Sequence, residues 1–318
     1  MNVKALERIR REVRPVFAVA VALIAAMSAL ADFREEMWKK SVTLRKGVTV
    51  RAYALEKPRT MKAYVARIDL TTPDLRFTVT ERLQDGWRDP ITVNKKGGSR
   101  RFLAETRLES TVDFVKRRRA SGLDVAFAVN ASFWGPWPTP KDEMRADPIG
   151  ICIADGEEVS AAVSNRTAAI FVVHRDGKAG IVQSVDDAMR RDLAVAVSGR
   201  PMIMKNGRFL PRGRNDINPR TAFGLTANRK TLVILVVDGR QKGYSEGASM
   251  RDLYDILRRE GVTDAVNMDG GGSSSFVVFD ASADSPLMLN RHRGGTMRKT
   301  AVNLGIAFGG SSGKPAVK

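Results

Sequence analysis

Two stretches of the chain determine how it folds. Residues 232–238 read LVILVVD, and residues 264–273 read DAVNMDGGGS. The first is unbroken aliphatic sequence, which is typical of a strand covered on both faces. The second contains a short strand over residues 265–268 that runs directly into an aspartate and three glycines. Each strand therefore ends in a carboxylate, Asp238 in one case and Asp269 in the other.

The sequence between these strands predicts a helix over residues 249–260. Ser249 is its N-cap, Asp252 is the capping-box partner and Gly261 ends it. Strand–helix–strand units are almost always parallel and right-handed, so both strands should end at one edge of the sheet. We therefore expect Asp238 and Asp269 to lie close together at that edge, where open α/β sheets bind their ligands.

Turn sequences divide much of the remaining chain into antiparallel hairpins. Asp-Gly or Asn-Gly pairs at 155–156, 176–177 and 206–207 each lie between β-forming runs. Residues 64–70 and 75–80 flank the turn sequence TTPD and predict another hairpin. The fold class is therefore predicted as α+β. It would have a mixed β-sheet scaffold with antiparallel hairpins and one parallel strand–helix–strand unit that carries the site.

Residues 1–31 predict a secretory signal peptide. Basic residues precede an uncharged run over 16–27, and small residues lead to a cleavage point after Ala31. The run is short for a bilayer span of about 20 residues, which favours a cleaved signal. The alternative is an uncleaved signal anchor, which is the only membrane attachment that we expect. We expect an exported, periplasmic or secreted protein with one domain over 32–308 and a flexible tail over 309–318.

The composition favours a globular protein with an acidic partner. Formal net charge is +18, from 53 Lys and Arg against 35 Asp and Glu, which suits phosphorylated glycans, anionic polymers, nucleic acid or lipid headgroups. The single cysteine, Cys152, lies in an apolar run and is expected to be buried. With two histidines far apart in sequence, a Ser–His–Asp site or a His-rich zinc site has little support.

The loops after the two strands contain groups suited to an anion. Residues 238–248 include Arg240 and a second carboxylate, Glu246. In the glycine run, successive backbone amides and a serine hydroxyl could form an anion-binding nest from Gly270, Gly271, Gly272 and Ser273. The simpler interpretations are a turn at residues 238–239 and a flexible glycine connection.

Three further side chains are candidates with open interpretations. Asn130 would join the same edge if strand 124–129 ran parallel to the other two. Arg220 is either a surface residue at a strand start or a bidentate clamp on phosphate or carboxylate. His292 lies between two arginines in a loop and could contact an anion.

In order and spacing, these segments resemble the phosphodiester glycosidase family. The resemblance covers roughly residues 47–308. Its motifs are VNASF at 129–133, NPRTA at 218–222, VDGR at 237–240, SEG at 245–247 and DAVNMDGGGS at 264–273. Two features depart from the family pattern: Ala131 replaces the usual glycine, and the segment WGPWPTP at 134–140 is particular to this chain.

The resemblance implies hydrolysis of a sugar–phosphate diester at the glycosidic carbon, in an envelope or extracellular glycan. Phosphorylated or acidic glycan is then the expected partner. The candidate catalytic residues are Asp238, Glu246 and Asp269, and their division of roles stays open. The candidate substrate-binding residues are Asn130, Arg220, Arg240, Gly270, Gly271, Gly272 and Ser273. If a divalent cation takes part, Asp238 or Asp269 is the expected ligand.

Two other functions compete with hydrolysis. A non-catalytic binding protein for acidic envelope polysaccharide could stack sugars on Trp134 and Trp137. A nucleic-acid binder is suggested by charge alone, and the sequence contains no recognition motif of that class. We therefore expect no nucleic-acid partner.

Overall fold

The computed structural model of the protein describes residues 32–84, 90–95, 98–161, 169–210 and 216–309. Residues 1–31, where a signal peptide is predicted, lie outside the described residues, as do residues 310–318 of the expected tail. The described chain begins with a helical segment over residues 32–39.

Strands make up most of the regular structure. In chain order they are β1 (Val42–Arg45), β2 (Val48–Leu55), β3 (Met61–Asp69), β4 (Leu75–Val79), β5 (Ile91–Lys95), β6 (Gly98–Phe102), β7 (Thr106–Arg107), β8 (Asp124–Asn130), β9 (Trp134–Gly135), β10 (Arg145–Pro148), β11 (Cys152–Ala154), β12 (Glu157–Ser160), β13 (Ala169–His174), β14 (Ala179–Val182), β15 (Leu193–Gly199), β16 (Met202–Lys205), β17 (Arg208–Phe209), β18 (Arg220–Thr226), β19 (Thr231–Val237), β20 (Val262–Asn267), β21 (Phe276–Asp280), β22 (Ser285–Met288) and β23 (Asn303–Phe308). The helices that follow residues 32–39 are α1 (Thr111–Ala120), α2 (Asp187–Asp192) and α3 (Met250–Arg259), with a 3₁₀ turn at Gly271–Ser273.

Three sheets form the body of the protein. The eight-stranded sheet has the order β1-β2-β3-β19-β18-β20-β16-β17. The β8 sheet has the order β22-β21-β8-β23-β4, and the β15 sheet has the order β12-β11-β15-β13-β14. Two smaller sheets, β7-β10-β9 and β5-β6, complete the described strands. Every pair of hydrogen-bonded neighbours among these strands is antiparallel.

Strand β19 is buried on both faces, as its unbroken aliphatic sequence predicts. Because side chains alternate along a strand, Leu232, Ile234 and Val236 point into the main core between the sheets. Val233 and Leu235 point to the other face, where they pack under helix α3. Helix α1 covers the outer face of the β8 sheet in the same way.

The predicted parallel strand–helix–strand unit is wrong in its pairing. Strands β19 and β20 are not neighbours, because β18 lies between them and pairs antiparallel with both. The hairpin β18–β19 places β18 beside β19 first, so helix α3 must carry the chain across to the far side of β18. Both outer strands consequently run in the same direction and end at the same edge. The fold is mostly β with few helices, and its described sheets are antiparallel, rather than the α+β fold with a mixed sheet that the sequence predicts.

The two-residue turn pairs predicted hairpins correctly, whereas the four-residue turn sequence TTPD did not. The Asp-Gly and Asn-Gly pairs at 155–156, 176–177 and 206–207 join β11 to β12, β13 to β14 and β16 to β17, so those three hairpins are confirmed. The hairpin predicted over 64–80 is wrong, since β3 belongs to the eight-stranded sheet and β4 pairs with β23 in the β8 sheet. Sequence preference identified both strands but not their partners.

Other local predictions agree with the structure. Ser249 and Asp252 form the capping box of α3, and Gly261 follows with a φ of 78°. Cys152 is fully buried, and burial raises the pKa of its thiol to about 12, so the thiol is protonated at neutral pH. Among the described helices none is long and apolar enough to cross a membrane.

Candidate active site

A cavity of about 270 Å³ opens where strands β18, β19 and β20 meet the loops at one edge of the eight-stranded sheet. Its walls come from four segments: the residue before β18, the turn after β19, the loop between β20 and β21, and the loop after β22. The described lining residues are Pro219, Asp238, Gly239, Arg240, Gly271, Gly272, Ser274, Asn290, Arg291, His292, Arg293, Thr296, Met297 and Arg298.

Asp238 is the one carboxylate among these described lining residues, and it is 1% exposed. Its Oδ1 accepts a hydrogen bond from Asn290 Nδ2 at 3.0 Å, and its Oδ2 accepts one from the Arg291 backbone N–H at 2.9 Å. The hydroxyl of Tyr244 donates to Oδ2 at 3.3 Å and lies 3.1 Å from the hydroxyl of Tyr64. Burial outweighs these hydrogen bonds and raises the pKa of Asp238 to about 6.

Asp269 lies at the end of the neighbouring outer strand and is partly buried. Its Oδ1 accepts a hydrogen bond from the Gly270 backbone N–H at 2.9 Å. Burial raises the pKa of Asp269 to about 6, while the nearby Ser273 hydroxyl and the charges of Arg298 and Arg200 favour the ionised form. Asp269 is not among the lining residues, but Arg298, which interacts with it, is.

The turns that contain these two aspartates pack against the backbone of Pro219. A Cβ on Gly239 would lie 2.7 Å from the Pro219 nitrogen, and one on Gly270 would lie 2.7 Å from the Pro219 carbonyl oxygen. The Gly271 N–H donates to that oxygen at 2.9 Å. Since Pro219 precedes β18, the two aspartates lie on either side of this central strand. The strands that carry them are separated by two strand spacings, each of roughly 4.8 Å.

Most backbone N–H groups of the glycine run donate hydrogen bonds within the protein. The N–H of Gly270 donates to Asp269, that of Gly271 to Pro219 and that of Ser273 to the Gly270 carbonyl. These amides are therefore not free to form the nest that the sequence suggested. The run instead presents bare backbone to two guanidinium groups, because a Cβ on Gly271 or Gly272 would meet Arg240 or Arg298.

Four arginines give the cavity its charge: Arg240, Arg291, Arg293 and Arg298. Arg240 donates from Nε and Nη2 to the Asn218 side-chain oxygen, at 3.2 and 2.7 Å. Burial lowers the pKa of Arg298, and the nearby Asp269 opposes that shift. His292 is buried, burial lowers its pKa, and its Nε2 has no hydrogen-bond partner among the described residues.

Asn130 is brought to the site but does not face the cavity. It is fully buried in β8, and its Nδ2 donates to the Asp269 carbonyl at 2.7 Å. Its Oδ1 accepts from the Thr221 hydroxyl at 2.8 Å and from the Ser275 N–H at 3.0 Å. These bonds connect the β8 sheet to β18 and to the glycine loop, so Asn130 positions the loop from behind.

Arg220 and Glu246 lie outside the cavity walls. Arg220 Nε donates to the Ala248 carbonyl at 3.1 Å, and its Nη2 donates to the Asp216 carbonyl at 2.6 Å. These bonds hold the start of β18 to the loop that leads into α3. The Glu246 side chain is exposed, and the hydrogen bonds of this residue are made by its backbone, from the N–H to Thr60 and from Arg240 to the carbonyl.

Sequence reasoning missed the residues that hold Asp238 and most of those that charge the cavity. Asn290 binds the carboxylate from 52 residues away, and Tyr244 binds it from within the loop that follows Asp238; no motif marked either residue. Arg298 was missed although residues 291–298, RHRGGTMR, contain three arginines and two glycines. That density of charge in a loop was the available signal.

The cavity does not fit a divalent cation. Magnesium and calcium need several oxygen ligands, mostly carboxylates, whereas one lining carboxylate faces four arginines here. The described residues contain no group of three or more His, Cys, Asp or Glu side chains that could hold a metal.

Comparisons with known proteins identify the family of this chain. The sequence profile described as phosphodiester glycosidase matches residues 124–307. N-acetylglucosamine-1-phosphodiester alpha-N-acetylglucosaminidase of Bos taurus is 38% identical over 73 residues, which are 23% of this chain and 13% of that protein. The chain thus matches only a small part of this curated relative.

Two solved structures share the fold. The zebrafish N-acetylglucosamine-1-phosphodiester alpha-N-acetylglucosaminidase catalytic domain, auto-inhibited by its pro-peptide, has a TM-score of 0.55 at 16% identity, covering 84% of this chain and 86% of that one. A putative exported protein of Burkholderia pseudomallei has a TM-score of 0.51 at 15% identity, covering 78% and 74%. These two similarities show the fold, and the sequence profile shows the family. The chain belongs to the phosphodiester glycosidase family.

Replacing Asn130 should destabilise the whole domain. Asn130→Ala would leave the Asp269 carbonyl, the Ser275 N–H and the Thr221 hydroxyl buried without a partner. At roughly 1–3 kcal/mol for each unsatisfied group, the free energy of unfolding should fall by at least about 3 kcal/mol in denaturant titrations. The matched control is Asn94→Ala, at an exposed position, with an expected change within about 0.5 kcal/mol. Equal effects at both positions would contradict the positioning role.

The raised pKa of Asp238 should appear in the pH dependence of stability. The folded protein binds this proton more tightly than the unfolded chain, because the pKa rises from 3.8 to about 6. The contribution of Asp238 to stability is therefore present below about pH 4 and is lost as pH rises through about 6, by roughly 3 kcal/mol in total.

Denaturant titrations of wild type and Asp238→Asn from pH 4 to pH 7 measure this loss. The wild type should lose roughly 3 kcal/mol relative to the variant across that interval. The exposed Asp284→Asn should follow the wild type at every pH. A constant difference between wild type and Asp238→Asn would show that Asp238 titrates normally.

Proposed function

We propose that the protein is an exported hydrolase that cleaves a sugar–phosphate diester at the glycosidic carbon, in an envelope or extracellular glycan. One observation carries this proposal. A carboxylate that is 1% exposed, with its pKa raised to about 6, lies in a cavity whose other charged walls are four arginines. Membership of the phosphodiester glycosidase family supports the same substrate class.

The arginines suit the phosphate group of such a diester. Guanidinium groups bind phosphate oxygens in a bidentate manner, and Arg240 and Arg298 both lie against the exposed backbone of the glycine run. A phosphate held between them would meet bare backbone on one side. His292 lines the same wall, with an imidazole that is buried beside the Gly272 backbone.

Asp238 is the proposed catalytic carboxylate. Its raised pKa makes it a stronger base than an ordinary aspartate while it stays largely ionised at neutral pH. It would take a proton from a water whose oxygen bonds to the glycosidic carbon as the bond from that carbon to the bridging phosphate oxygen breaks. The products are the free sugar and a phosphate monoester, which keeps the bridging oxygen and its electron pair.

Leaving-group departure in this reaction depends on charge more than on proton donation. An ordinary glycosidase protonates the leaving oxygen with a second carboxyl group. A phosphate monoester is already a stable anion, so arginines beside it can replace that acid. This explains how a cavity with one lining carboxylate among its described residues can still hydrolyse a glycosidic bond.

Asp269 is the proposed positioning residue for Arg298. The two side chains attract each other, and Arg298 rather than Asp269 reaches the cavity wall. Removing the Asp269 charge would leave Arg298 less well oriented toward phosphate. Loss of the Asp269 carboxylate should therefore weaken substrate binding, whereas loss of the Asp238 carboxylate should slow the chemical step.

Hydrolysis can be measured with synthetic diesters of N-acetylglucosamine 1-phosphate and glucose 1-phosphate, by following free sugar and the new phosphate monoester. Wild-type protein should release both products from at least one diester, with or without a chelator. Asp238→Asn should lower kcat by at least about a hundredfold with little change in KM. Asp269→Asn should mainly raise KM.

The matched control is Glu246→Gln, because Glu246 is exposed and outside the cavity wall; its kinetics should equal those of wild type. Saturable glycan binding with no released product from any diester would instead support the non-catalytic polysaccharide-binding protein. Unchanged turnover in Asp238→Asn would remove Asp238 from the chemistry.

Export rests on the N-terminal sequence. We propose that residues 1–31 form a signal peptide cleaved after Ala31, and a structurally similar bacterial protein is itself described as a putative exported protein. When the protein is expressed in a bacterial host, mass spectrometry of the envelope fraction should find protein whose N-terminal residue is Asp32. Ala31→Arg should block cleavage because the position before the cut requires a small residue. Full-length wild-type protein in the membrane fraction would show an uncleaved anchor.

A further inference from the structure

An exposed tryptophan lies directly beside the cavity. Trp137 is 56% exposed, one of the few large apolar side chains that the described chain leaves open to solvent. The guanidinium carbon of Arg298 lies 4.2 Å from the centre of its ring. The same carbon would lie 2.9 Å from a Cβ on Gly272. Arg298 thus bridges the tryptophan and the glycine loop.

The indole is held on an ordered base. Its ring meets the ring of Trp134 edge to face, with centroids 5.5 Å apart and an interplanar angle of 88°. Trp134 is 8% exposed and begins β9, which pairs with β10. A rigid aromatic ring loses little conformational entropy when a ligand packs on it. Trp137 therefore has the support expected of a binding platform.

The order of groups across the site matches the order of groups in a sugar–phosphate diester. Asp238 is 1% exposed, Arg298 lines the same cavity and lies against the indole of Trp137, and that indole is 56% exposed. In the diester, the glycosidic carbon is followed by the phosphate and then by the alcohol esterified to it. With the carbon at Asp238 and the phosphate at the arginines, that alcohol reaches Trp137.

We propose that Trp137 forms an outer subsite that stacks on a sugar ring esterified through its hydroxyl to the substrate phosphate. This rests on the proposed function and adds to it one residue that contacts the alcohol which keeps the phosphate after cleavage. The C–H groups on one face of a pyranose carry slight positive charge and pack on the negative face of an indole. The segment over residues 134–140 accordingly sets the preference for the leaving alcohol.

Product binding tests the subsite without requiring turnover. The probes are methyl glucoside 6-phosphate, which carries a sugar ring, and methyl phosphate, which does not. Isothermal titration should show that Trp137→Ala weakens binding of the first by about tenfold, the loss expected for one stacked ring. Binding of methyl phosphate should stay within about twofold of wild type, and Trp137→Phe should retain most of the affinity for the sugar phosphate.

Two controls separate stacking from other effects. Leu210→Ala removes another exposed apolar side chain, outside the cavity wall, and should leave both affinities unchanged. If Trp137 only holds Arg298 in place, Trp137→Ala would weaken both phosphates equally, and that result overturns the subsite. Equal affinities of wild type and Trp137→Ala for methyl glucoside 6-phosphate overturn it as well.

Kinetics extend the test and separate it from the proposed function. With diesters of one sugar 1-phosphate to methanol or to the 6-hydroxyl of methyl glucoside, Trp137→Ala should raise KM about tenfold for the second substrate alone. If wild type hydrolyses neither diester while the difference in product binding holds, the hydrolase proposal fails and the subsite stands as a binding site. The reverse result leaves hydrolysis intact and removes the subsite.

Discussion

Close packing of two Asp-Gly turns on the backbone of Pro219 is the constraint on which the site depends. Gly239 packs against the nitrogen of this residue and Gly270 against its carbonyl oxygen, and neither position has room for a Cβ. Because Pro219 leads into β18, the contacts fix the turn after β19 and the turn after β20 on either side of one central strand. Asp238 and Asp269 are thereby held at one edge of the sheet.

That geometry also fixes the electrostatics. Burial of Asp238 raises its pKa to about 6, so its ionised form would be unstable without its hydrogen bonds from Asn290, Tyr244 and the Arg291 backbone. The loop that supplies Arg291 also supplies Arg298, so the residues that hold the carboxylate and the residues that charge the cavity are parts of one structure. A change in this loop would affect the base and the phosphate site together.

The glycines have a different role from the one their sequence suggests. A run of three glycines after a strand is typical of a backbone nest for an anion, yet several of these amides are bound within the protein. Here the missing side chains allow close packing on Pro219 and close approach of Arg240 and Arg298. Guanidinium groups therefore carry the anion-binding role in the proposed function, and the glycines make room for them.

Local sequence predicted the local structure well. Aliphatic runs and turn pairs identified β19, three hairpins and the capped helix α3, because each depends on neighbours within a few residues. The pairing of strands was less accessible. Strand β18 enters between β19 and β20, and β3 and β4 separate into different sheets, because the burial of whole faces decides partners.

The sequence by itself determined the family, the two strand ends that contain aspartates and the positive charge of the protein. Only the tertiary structure decided which polar residues face the cavity. Asn130 and Arg220 lie in conspicuous motifs, yet their side chains bond to other parts of the protein and not to the cavity. Asn290 and Arg298 come from segments without a motif, and Tyr244 lies between two motifs. The reason is physical: a buried polar group must find its partner wherever packing places one, and sequence distance does not limit that choice.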